Sequence, residues 1–325
     1  MTPLERALHE RIRAEGPVGV EAYMEACNEY YYATRDPLGV DGDFTTAPEI
    51  SQMFGEMIGA ALAECWMRAG APAEAVYAEL GPGRGTLAAD ALRVMCSAGF
   101  GGEAHFVETS PVLREAQARA VPDACWHISV EELPKRPFLL IANEFLDALP
   151  IRQQADGMDR NIIIAGGALA FDRDGEIVET SPARDEAVAA IARRLVVDGG
   201  VALIIDYGHE VSVPGDTLQA VRNHRFAPVL ERPGDQDITA HVDFEAVMNV
   251  ARSAGAEVTR VVLQGDWLGR LGIDARAQVL AEQNPERASD IEAALHRLSA
   301  PDAMGQLFKV MALHSPDWPS PAGLA

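Results

Sequence analysis

Three glycines at alternate positions follow a short apolar run and precede a helical pattern. The run Val76–Leu80 leads into Gly81, Gly83 and Gly85, and a helix is predicted to begin near Thr86. Glycine lets a backbone pass close to a ligand without a Cβ clash, and the first turn of a helix presents N–H groups and the positive end of its dipole. The spacing therefore predicts a strand, a tight turn and a helix that together bind a flat, polar or anionic ligand.

The spacing of these glycines fits neither of two common phosphate-binding patterns. A dinucleotide fingerprint needs its third glycine where the chain has Thr86, and no Gly-Lys-Ser/Thr follows for a P-loop. Two carboxylates favour a different ligand, because Glu79 lies in the strand before the glycines and Glu108 ends the next predicted strand. Glu79 suits an ammonium group and Glu108 suits both hydroxyls of a ribose, which S-adenosylmethionine combines. A glycine-rich turn between strand and helix in any other α/β protein is the alternative.

A second polar cluster follows a later apolar strand. Asn143, Glu144 and Asp147 come directly after the run at residues 138–142. Ligands of open parallel sheets bind at the carboxyl ends of the strands, so the methyl acceptor of an enzyme that uses S-adenosylmethionine would lie here. If the acceptor is an arginine guanidinium, we expect Glu144 and Asp147 to hold it, since carboxylates match its charge and its planar donors. The alternative is that Asn143 caps a helix beginning at Glu144.

The elements that position these residues alternate between strand and helix. The rhythm runs over residues 76–142 and 184–263 and predicts an α/β fold, a parallel sheet with helices on both faces. A last strand at 307–313 that can pair antiparallel is typical of the Rossmann-like sheet of class I methyltransferases. Three short strands within 151–180, separated by glycine-rich turns, predict an inserted antiparallel β meander.

The predicted domain organisation follows from these patterns. It comprises an N-terminal helical cap with a cofactor-covering loop (1–48), a methyltransferase core (49–150 and 184–314), the inserted substrate-side meander (151–183) and a disordered tail (315–325).

Composition excludes several classes of protein. The net charge of −22 repels nucleic acid and anionic membranes and favours a basic partner. No apolar run approaches the length of a membrane span, no histidines have metal-ligand spacing, and no Gly-x-Ser-x-Gly elbow supports a hydrolase.

Residues 1–15 resemble neither a signal nor a transit peptide, which predicts a cytosolic protein. Buried free thiols in a reducing compartment are expected of the widely spaced cysteines, which are Cys27, Cys65, Cys96 and Cys125.

Taken together, these motifs resemble those of the MidA-like class I methyltransferases, whose mitochondrial members are arginine methyltransferases of complex I assembly. The resemblance spans about residues 31–312. It depends on DPLG (36–39), GDF (42–44), PEIS (48–51), FGE (54–56), ELGPGRGTL (79–87), NEFLDALP (143–150), DYG (206–208), DITAHVDF (237–244) and LFKV (307–310).

The resemblance implies S-adenosylmethionine-dependent methylation of an arginine in a protein, with symmetric dimethylarginine formed on a peripheral-arm subunit of respiratory NADH:quinone oxidoreductase (complex I). It implies that a segment at 42–51, including Thr46, closes the cofactor pocket. The cofactor side then consists of Glu79, Gly81, Gly83, Gly85, Thr86 and Glu108, and the acceptor side of Asn143, Glu144 and Asp147.

Two other readings of the sequence remain open. A non-catalytic assembly module could keep this fold and hold a basic partner on its acidic surface. A nicotinamide-dependent oxidoreductase is disfavoured by Thr86 and by the last pair of strands.

Overall fold

The computed structural model describes residues 1–34 and 46–324. The DPLG and GDF motifs, and the part of the predicted pocket-closing segment before Thr46, lie outside the described residues. The α-helices are α1 Pro3–Glu15, α2 Val20–Thr34, α3 Ala47–Ile50, α4 Gln52–Arg68, α5 Thr86–Ser97, α6 Pro111–Ala120, α7 Pro182–Asp198, α8 Phe244–Ser253, α9 Gln264–Leu271, α10 Ile273–Gln283, α11 Ala288–Ser299 and α12 Met304–Leu307.

The strands are β1 Val18–Gly19, β2 Val76–Leu80, β3 Ala104–Val107, β4 Cys125–His127, β5 Phe138–Asn143, β6 Arg152–Ala155, β7 Met158–Asp159, β8 Asn161–Ala165, β9 Ala168–Phe171, β10 Ile177–Thr180, β11 Gly200–His209, β12 Gln219–Arg222, β13 Arg225–Ala227, β14 Asp237–Thr239, β15 Val242–Asp243, β16 Glu257–Val258, β17 Val262–Leu263 and β18 Phe308–His314.

The chain divides into two compact units. Unit 1 consists of Met1–Thr45, Leu146–Ala187 and His209–Val247, and unit 2 of Thr46–Phe145, Val188–Gly208 and Met248–Ala325. This division differs from the predicted domains. The segments predicted as a cap and as an inserted meander belong to the same unit, because residues far apart in the sequence share one apolar core there.

Unit 2 contains the predicted parallel sheet. Its strand order is β16-β18-β11-β5-β2-β3-β4, with β17 also paired to β18. The strands from β11 to β4 are parallel, and β18 pairs antiparallel with β11 from Val201↔His314 to Tyr207↔Phe308. The apolar residues of β2 and β5 are buried, as expected for central strands of a parallel sheet covered on both faces. The predicted fold class is confirmed.

The helices α4 and α5 of unit 2 pack closely against each other. A Cβ on Gly55 would lie 2.6 Å from Asp90 Cβ, and one on Gly59 would lie 2.5 Å from the carbonyl oxygen of Ala91. Only glycine permits such an approach of two helices. The packing fixes the direction of α5, whose first turn follows the glycine-rich stretch.

Unit 1 is built from α1, α2 and small antiparallel sheets. Its sheets have the orders β1-β8-β9, β10-β6-β7 and β13-β12-β14. The predicted inserted segment is antiparallel, and its strands are divided between two of these sheets because β8 pairs with β1 near the start of the chain. The core of the unit includes Tyr23, Met24 and Ile238.

The end of the chain differs from the predicted disordered tail. Leu324 is 1% exposed, and the indole N–H of Trp267 donates to the carbonyl oxygen of Ala322 at 3.0 Å. The proline-rich composition suggested disorder, but Trp318 and Leu324 supply apolar contacts to the core of unit 2.

The cysteines are only partly as predicted. Cys27 and Cys65 are buried free thiols, whereas Cys96 and Cys125 are free and exposed. The expectation of burial was wrong for the second pair, because Cys96 lies on the outer side of α5 and Cys125 on the edge strand β4. Among the described residues, no helix is long and apolar enough to cross a membrane.

Candidate active site

The glycine-rich stretch of unit 2 forms a left-handed turn between β2 and α5. The φ angles of Gly81, Gly83 and Gly85 are 57°, 55° and 82°. A Cβ on Gly81 would lie 3.1 Å from the ring of Phe145, and one on Gly85 would lie 3.1 Å from Ala120 Cβ. The glycines are therefore needed by the backbone conformation and by packing within the chain, in addition to the clearance for a ligand that the sequence predicted.

The amino end of α5 faces a carboxylate that the sequence did not single out. Thr86 is the first residue of α5, which has no side-chain cap. The Thr86 hydroxyl donates to Glu49 Oε1 at 2.5 Å, and Arg84 Nη1 lies 3.6 Å from Glu49 Oε2. Glu49 of α3 thereby connects the PEIS motif to the glycine turn. In the sequence, this contact is indicated only by the fact that both motifs belong to the set that resembles the family.

Glu79, on β2 before the turn, is a buried carboxyl group. It is 3% exposed, and its Oε2 accepts a hydrogen bond of 2.5 Å from the hydroxyl of Tyr77. Burial raises the pKa of Glu79 to about 8 because it disfavours the charged form, although the Tyr77 hydrogen bond lowers it. A cation beside this carboxyl would compensate its charge, so the residue fits the α-ammonium group of S-adenosylmethionine.

Glu108 lies just past the end of β3 and is held from two directions. Its Oε1 accepts from the backbone N–H of Ser110 at 2.8 Å, and its Oε2 accepts from Gln117 Nε2 at 3.0 Å. Burial raises its pKa, against the lowering effect of these hydrogen bonds. Each carboxylate oxygen has more than one lone pair, so Glu108 can accept further hydrogen bonds from the two hydroxyls of a ribose.

Gln117 of α6 is a candidate that sequence reasoning missed. This fully buried amide also donates to the carbonyl oxygen of Gly83 at 2.8 Å and accepts from Trp126 Nε1 at 2.8 Å. It therefore fixes Glu108 relative to the glycine turn. A glutamine inside an amphipathic helix gives no sequence signal of this role.

The last residue of β5 is Asn143, and the chain then turns sharply. Glu144 has a φ of 49°, and its backbone N–H donates to the carbonyl oxygen of Ile205 on β11 at 2.9 Å. A non-glycine residue in this left-handed region costs roughly 1–2 kcal/mol and is characteristic of functional sites. No helix begins at Glu144, so the helix-cap alternative is wrong.

The side chains of Asn143 and Glu144 lie together. Asn143 Nδ2 is 3.3 Å from Glu144 Oε1, which also accepts from the backbone N–H of Ala47 at 3.4 Å. Thr46 immediately precedes this contact at the start of α3. The Oδ1 atom of Asn143 is buried and has no hydrogen-bond partner within residues 1–34 and 46–324. It can accept a hydrogen bond from a ligand.

Asp147 belongs to unit 1. Its side chain is 5% exposed. Burial, followed by the charges of Asp237 and Asp147, raises the pKa of Tyr32, whose hydroxyl donates to Asp237 Oδ1 at 2.8 Å. Asp147 therefore lies in a buried, acidic part of unit 1.

Across the described parts of the chain, no group of three or more His, Cys, Asp or Glu side chains is placed to hold a metal ion.

The strand order of unit 2, with an antiparallel last strand beside β11, defines the sheet of a class I methyltransferase. The chain belongs to a family of S-adenosyl-L-methionine-dependent methyltransferases, whose model matches residues 57–162 and 156–262. This confirms the predicted class of enzyme and its cofactor. The roles of the individual residues above remain predictions.

Two relatives and a solved structure are similar over almost the whole chain. A mitochondrial protein arginine methyltransferase NDUFAF7 homolog of Drosophila melanogaster is 34% identical over 95% of this chain and 84% of its own length. The protein arginine methyltransferase NDUFAF7 of Danio rerio is 34% identical over 94% and 85%. A crystal structure of a Burkholderia thailandensis protein bound to S-adenosyl-homocysteine has a TM-score of 0.88 and 27% identity, covering 99% of this chain and 94% of that one.

The relatives correct one prediction. The Drosophila and zebrafish proteins are mitochondrial, which contradicts the cytosolic location predicted for this chain. That prediction was wrong because it relied on residues 1–15 and on reduced thiols, and neither feature distinguishes one reducing compartment from another.

Proposed function

We propose that this S-adenosylmethionine-dependent methyltransferase methylates an arginine of a protein, and that its substrate is a subunit of respiratory NADH:quinone oxidoreductase during assembly of that complex. The observation that carries the proposal is the buried Oδ1 atom of Asn143 beside the carboxylate of Glu144. Relatives named as protein arginine methyltransferases support the substrate class.

Asn143 and Glu144 supply what a guanidinium group needs. A guanidinium has only N–H donors in a rigid plane, so it requires acceptors alone. The amide oxygen of Asn143 and the carboxylate of Glu144 are both acceptors at the end of β5, where the backbone is fixed by the Glu144 hydrogen bond to β11. The pair orients one nitrogen and compensates the positive charge.

The cofactor supplies an electrophilic methyl group on its sulfonium when it is bound. Glu79, Glu108 and the amino end of α5 would hold the nucleoside and its amino-acid end, and this would keep the cofactor oriented for the transfer. The Glu144 carboxylate stabilises the charged guanidinium and can accept the proton that the nitrogen loses. Holding the two reactants in this geometry accounts for most of the catalysis that we assign to the protein.

The charge of the chain supports a protein substrate with a basic segment. With a net charge of −22, it attracts cationic surfaces over distances beyond direct contact. Assembly of the respiratory complex is the finer part of the proposal, and it follows from the family resemblance of the motifs.

Co-expression with candidate peripheral-arm subunits tests the proposal. Mass spectrometry of the subunit should find methylated arginine with the wild-type chain and far less of it with Glu144→Gln. A matched control is Glu103→Gln, an exposed carboxylate of the same unit, which should methylate like the wild type. A subunit that forms a stable complex with the wild-type chain and gains no methyl group would contradict the proposal in favour of a non-catalytic assembly module.

A further inference from the structure

In unit 1, the guanidinium of Arg184 binds four backbone carbonyl oxygens. Nε donates to Leu146 at 2.6 Å, Nη1 to His241 at 2.6 Å, and Nη2 to Ala240 at 2.8 Å and to Asp147 at 3.2 Å. The residue lies on the first turn of α7 and is 6% exposed. One buried side chain thus joins two segments that are more than 90 residues apart in the sequence, as the numbering of Asp147 and Ala240 shows.

The same two segments are joined a second time, by Asn28 of α2. Its Nδ2 donates to the carbonyl oxygens of Ala148 at 2.9 Å and Ile238 at 2.8 Å, and its Oδ1 accepts from the Ile238 N–H at 3.3 Å. The backbone N–H of Ala240 also donates directly to the Asp147 carbonyl oxygen at 3.0 Å. Residues 146–148 belong to no helix or strand, so these side chains provide the hydrogen bonds that regular structure would otherwise supply.

We propose that Arg184 is a positioning residue for the methyl-transfer reaction, because it fixes the backbone that carries Asp147. The inference rests on the proposed function and on the prediction from the sequence that Asp147 helps to hold the acceptor guanidinium. Asn28 of α2 hydrogen-bonds to the same two segments and so helps to hold the backbone of Asp147 in place.

The geometry requires arginine. Its planar group carries five N–H donors that diverge from one plane and can reach carbonyl oxygens of two segments at once. Lysine presents three donors from a single nitrogen, so it can keep the charge and part of the hydrogen bonding but cannot span the four carbonyl groups. The conservative variant Arg184→Lys therefore loosens the two segments without introducing a shorter, uncharged side chain.

A matched control is available in the same unit. Arg160 is also 6% exposed and hydrogen-bonds Gln153 Oε1 at 2.9 Å and Asp216 Oδ2 at 2.7 Å, with its guanidinium 3.7 Å from the ring centroid of Phe171. It stabilises the small sheets of unit 1. Arg160→Lys therefore measures the cost of losing a buried guanidinium in this unit without affecting the Arg184 hydrogen bonds.

The first test is hydrogen–deuterium exchange on the full chain and does not depend on activity. In Arg184→Lys, peptides covering residues 146–149 and 238–241 should exchange at least about tenfold faster than in the wild type. This is the change expected if the equilibrium constant for local opening of these segments rises about tenfold. In Arg160→Lys they should keep wild-type rates. Unchanged exchange of both segments in a folded Arg184→Lys protein would overturn the proposal, whatever the activity of the wild type.

The second test is kinetic and uses the protein substrate that the wild type methylates. Arg184→Lys should raise KM for that substrate roughly tenfold or more, whereas its dissociation constant for S-adenosyl-homocysteine should stay within about twofold of the wild type. Asn28→Ser, which removes the hydrogen bonds from the other side, should change KM in the same direction and serves if Arg184→Lys does not fold. Equal KM values for Arg184→Lys and Arg160→Lys would mean that Arg184 is only structural. Absence of methylation by the wild type would instead count against the proposed function.

Discussion

The hydroxyl of Tyr77 donates a 2.5 Å hydrogen bond to Glu79, two residues later on the same strand, and both side chains are buried. Alternate residues of a strand point to the same face, so β2 itself places the phenol against the carboxyl. Burial raises the pKa of Glu79 to about 8 and, together with the Glu79 charge, raises that of Tyr77. Burial therefore favours the protonated form of Glu79, and a bound ammonium would favour the charged form instead.

We expect the affinity for S-adenosyl-homocysteine to increase with pH up to about 8, the pKa of Glu79. Below this pH, Glu79 must release its proton to bind the ligand's ammonium, so binding weakens by about tenfold per pH unit. Above it, Glu79 is already ionised, so the affinity should level off until the ligand's own amino group loses its charge. Calorimetry at pH 7 in buffers of different ionisation enthalpy should detect release of about one proton per ligand.

The control for this titration is Glu79→Gln, which should bind more weakly and release no proton. The same proton release in the variant would exclude Glu79 as its source.

We expect Gly85→Ala to destabilise unit 2 more than Gly99→Ala does. Both glycines have positive φ angles, but a Cβ on Gly85 meets Ala120 and Gln117, whereas one on Gly99 meets nothing within 4 Å. Both substitutions therefore carry the cost of placing a Cβ on a residue with positive φ. For Gly85→Ala, the crowding adds roughly 1–3 kcal/mol to the loss of stability. Urea denaturation measures the difference, and only Gly85→Ala should also weaken S-adenosyl-homocysteine binding. Equal effects of the two substitutions would mean that α6 yields easily at this contact.

We expect Gln117→Leu to weaken cofactor binding by roughly tenfold, because Glu108 and the Gly83 carbonyl group lose a shared hydrogen-bond donor. The emission of Trp126 should change as well, since its indole N–H loses its acceptor. The matched control is Gln264→Leu. Gln264 is equally buried in unit 2 and donates to Leu298 at 2.9 Å, so its loss should lower stability and leave binding unchanged.

We expect Glu144→Gln to keep the affinity for S-adenosyl-homocysteine and to reduce methyl transfer by roughly a hundredfold, because the acceptor loses its compensating charge. Asp147→Asn should act in the same direction. Single-turnover measurements with saturating cofactor separate the two effects. Wild-type turnover in both variants would remove these carboxylates from the acceptor side of the reaction.

Local sequence patterns predicted the strand, the glycine turn and the helix around Glu79 correctly. Glycine spacing, the end of an apolar strand and a following helix are all properties of neighbouring residues, and they placed Glu79 and the glycine turn at the carboxyl edge of the sheet. The same reasoning placed Asn143 at a strand end. It did not predict the left-handed conformation of Glu144, which depends on a hydrogen bond to a strand more than 60 residues later, as the numbering of Ile205 shows.

Contacts between distant segments account for what the sequence left out. Glu49 reaches Thr86, Gln117 reaches Gly83, and Arg184 reaches Ala240 through hydrogen bonds that no local periodicity encodes. The composition of the last residues indicated disorder, and their burial depends on where Trp267 lies in the folded core. Unit 1 was missed as a unit for the same reason, since its three segments share one core only after folding.

A crystal structure of this chain with S-adenosyl-homocysteine tests the central claim most directly. The ribose hydroxyls should hydrogen-bond to Glu108, the amino group should lie against Glu79, and the sulfur should point toward the side chains of Asn143 and Glu144. A ligand bound elsewhere, with the space between Glu79 and Glu108 filled by protein side chains, would contradict the account.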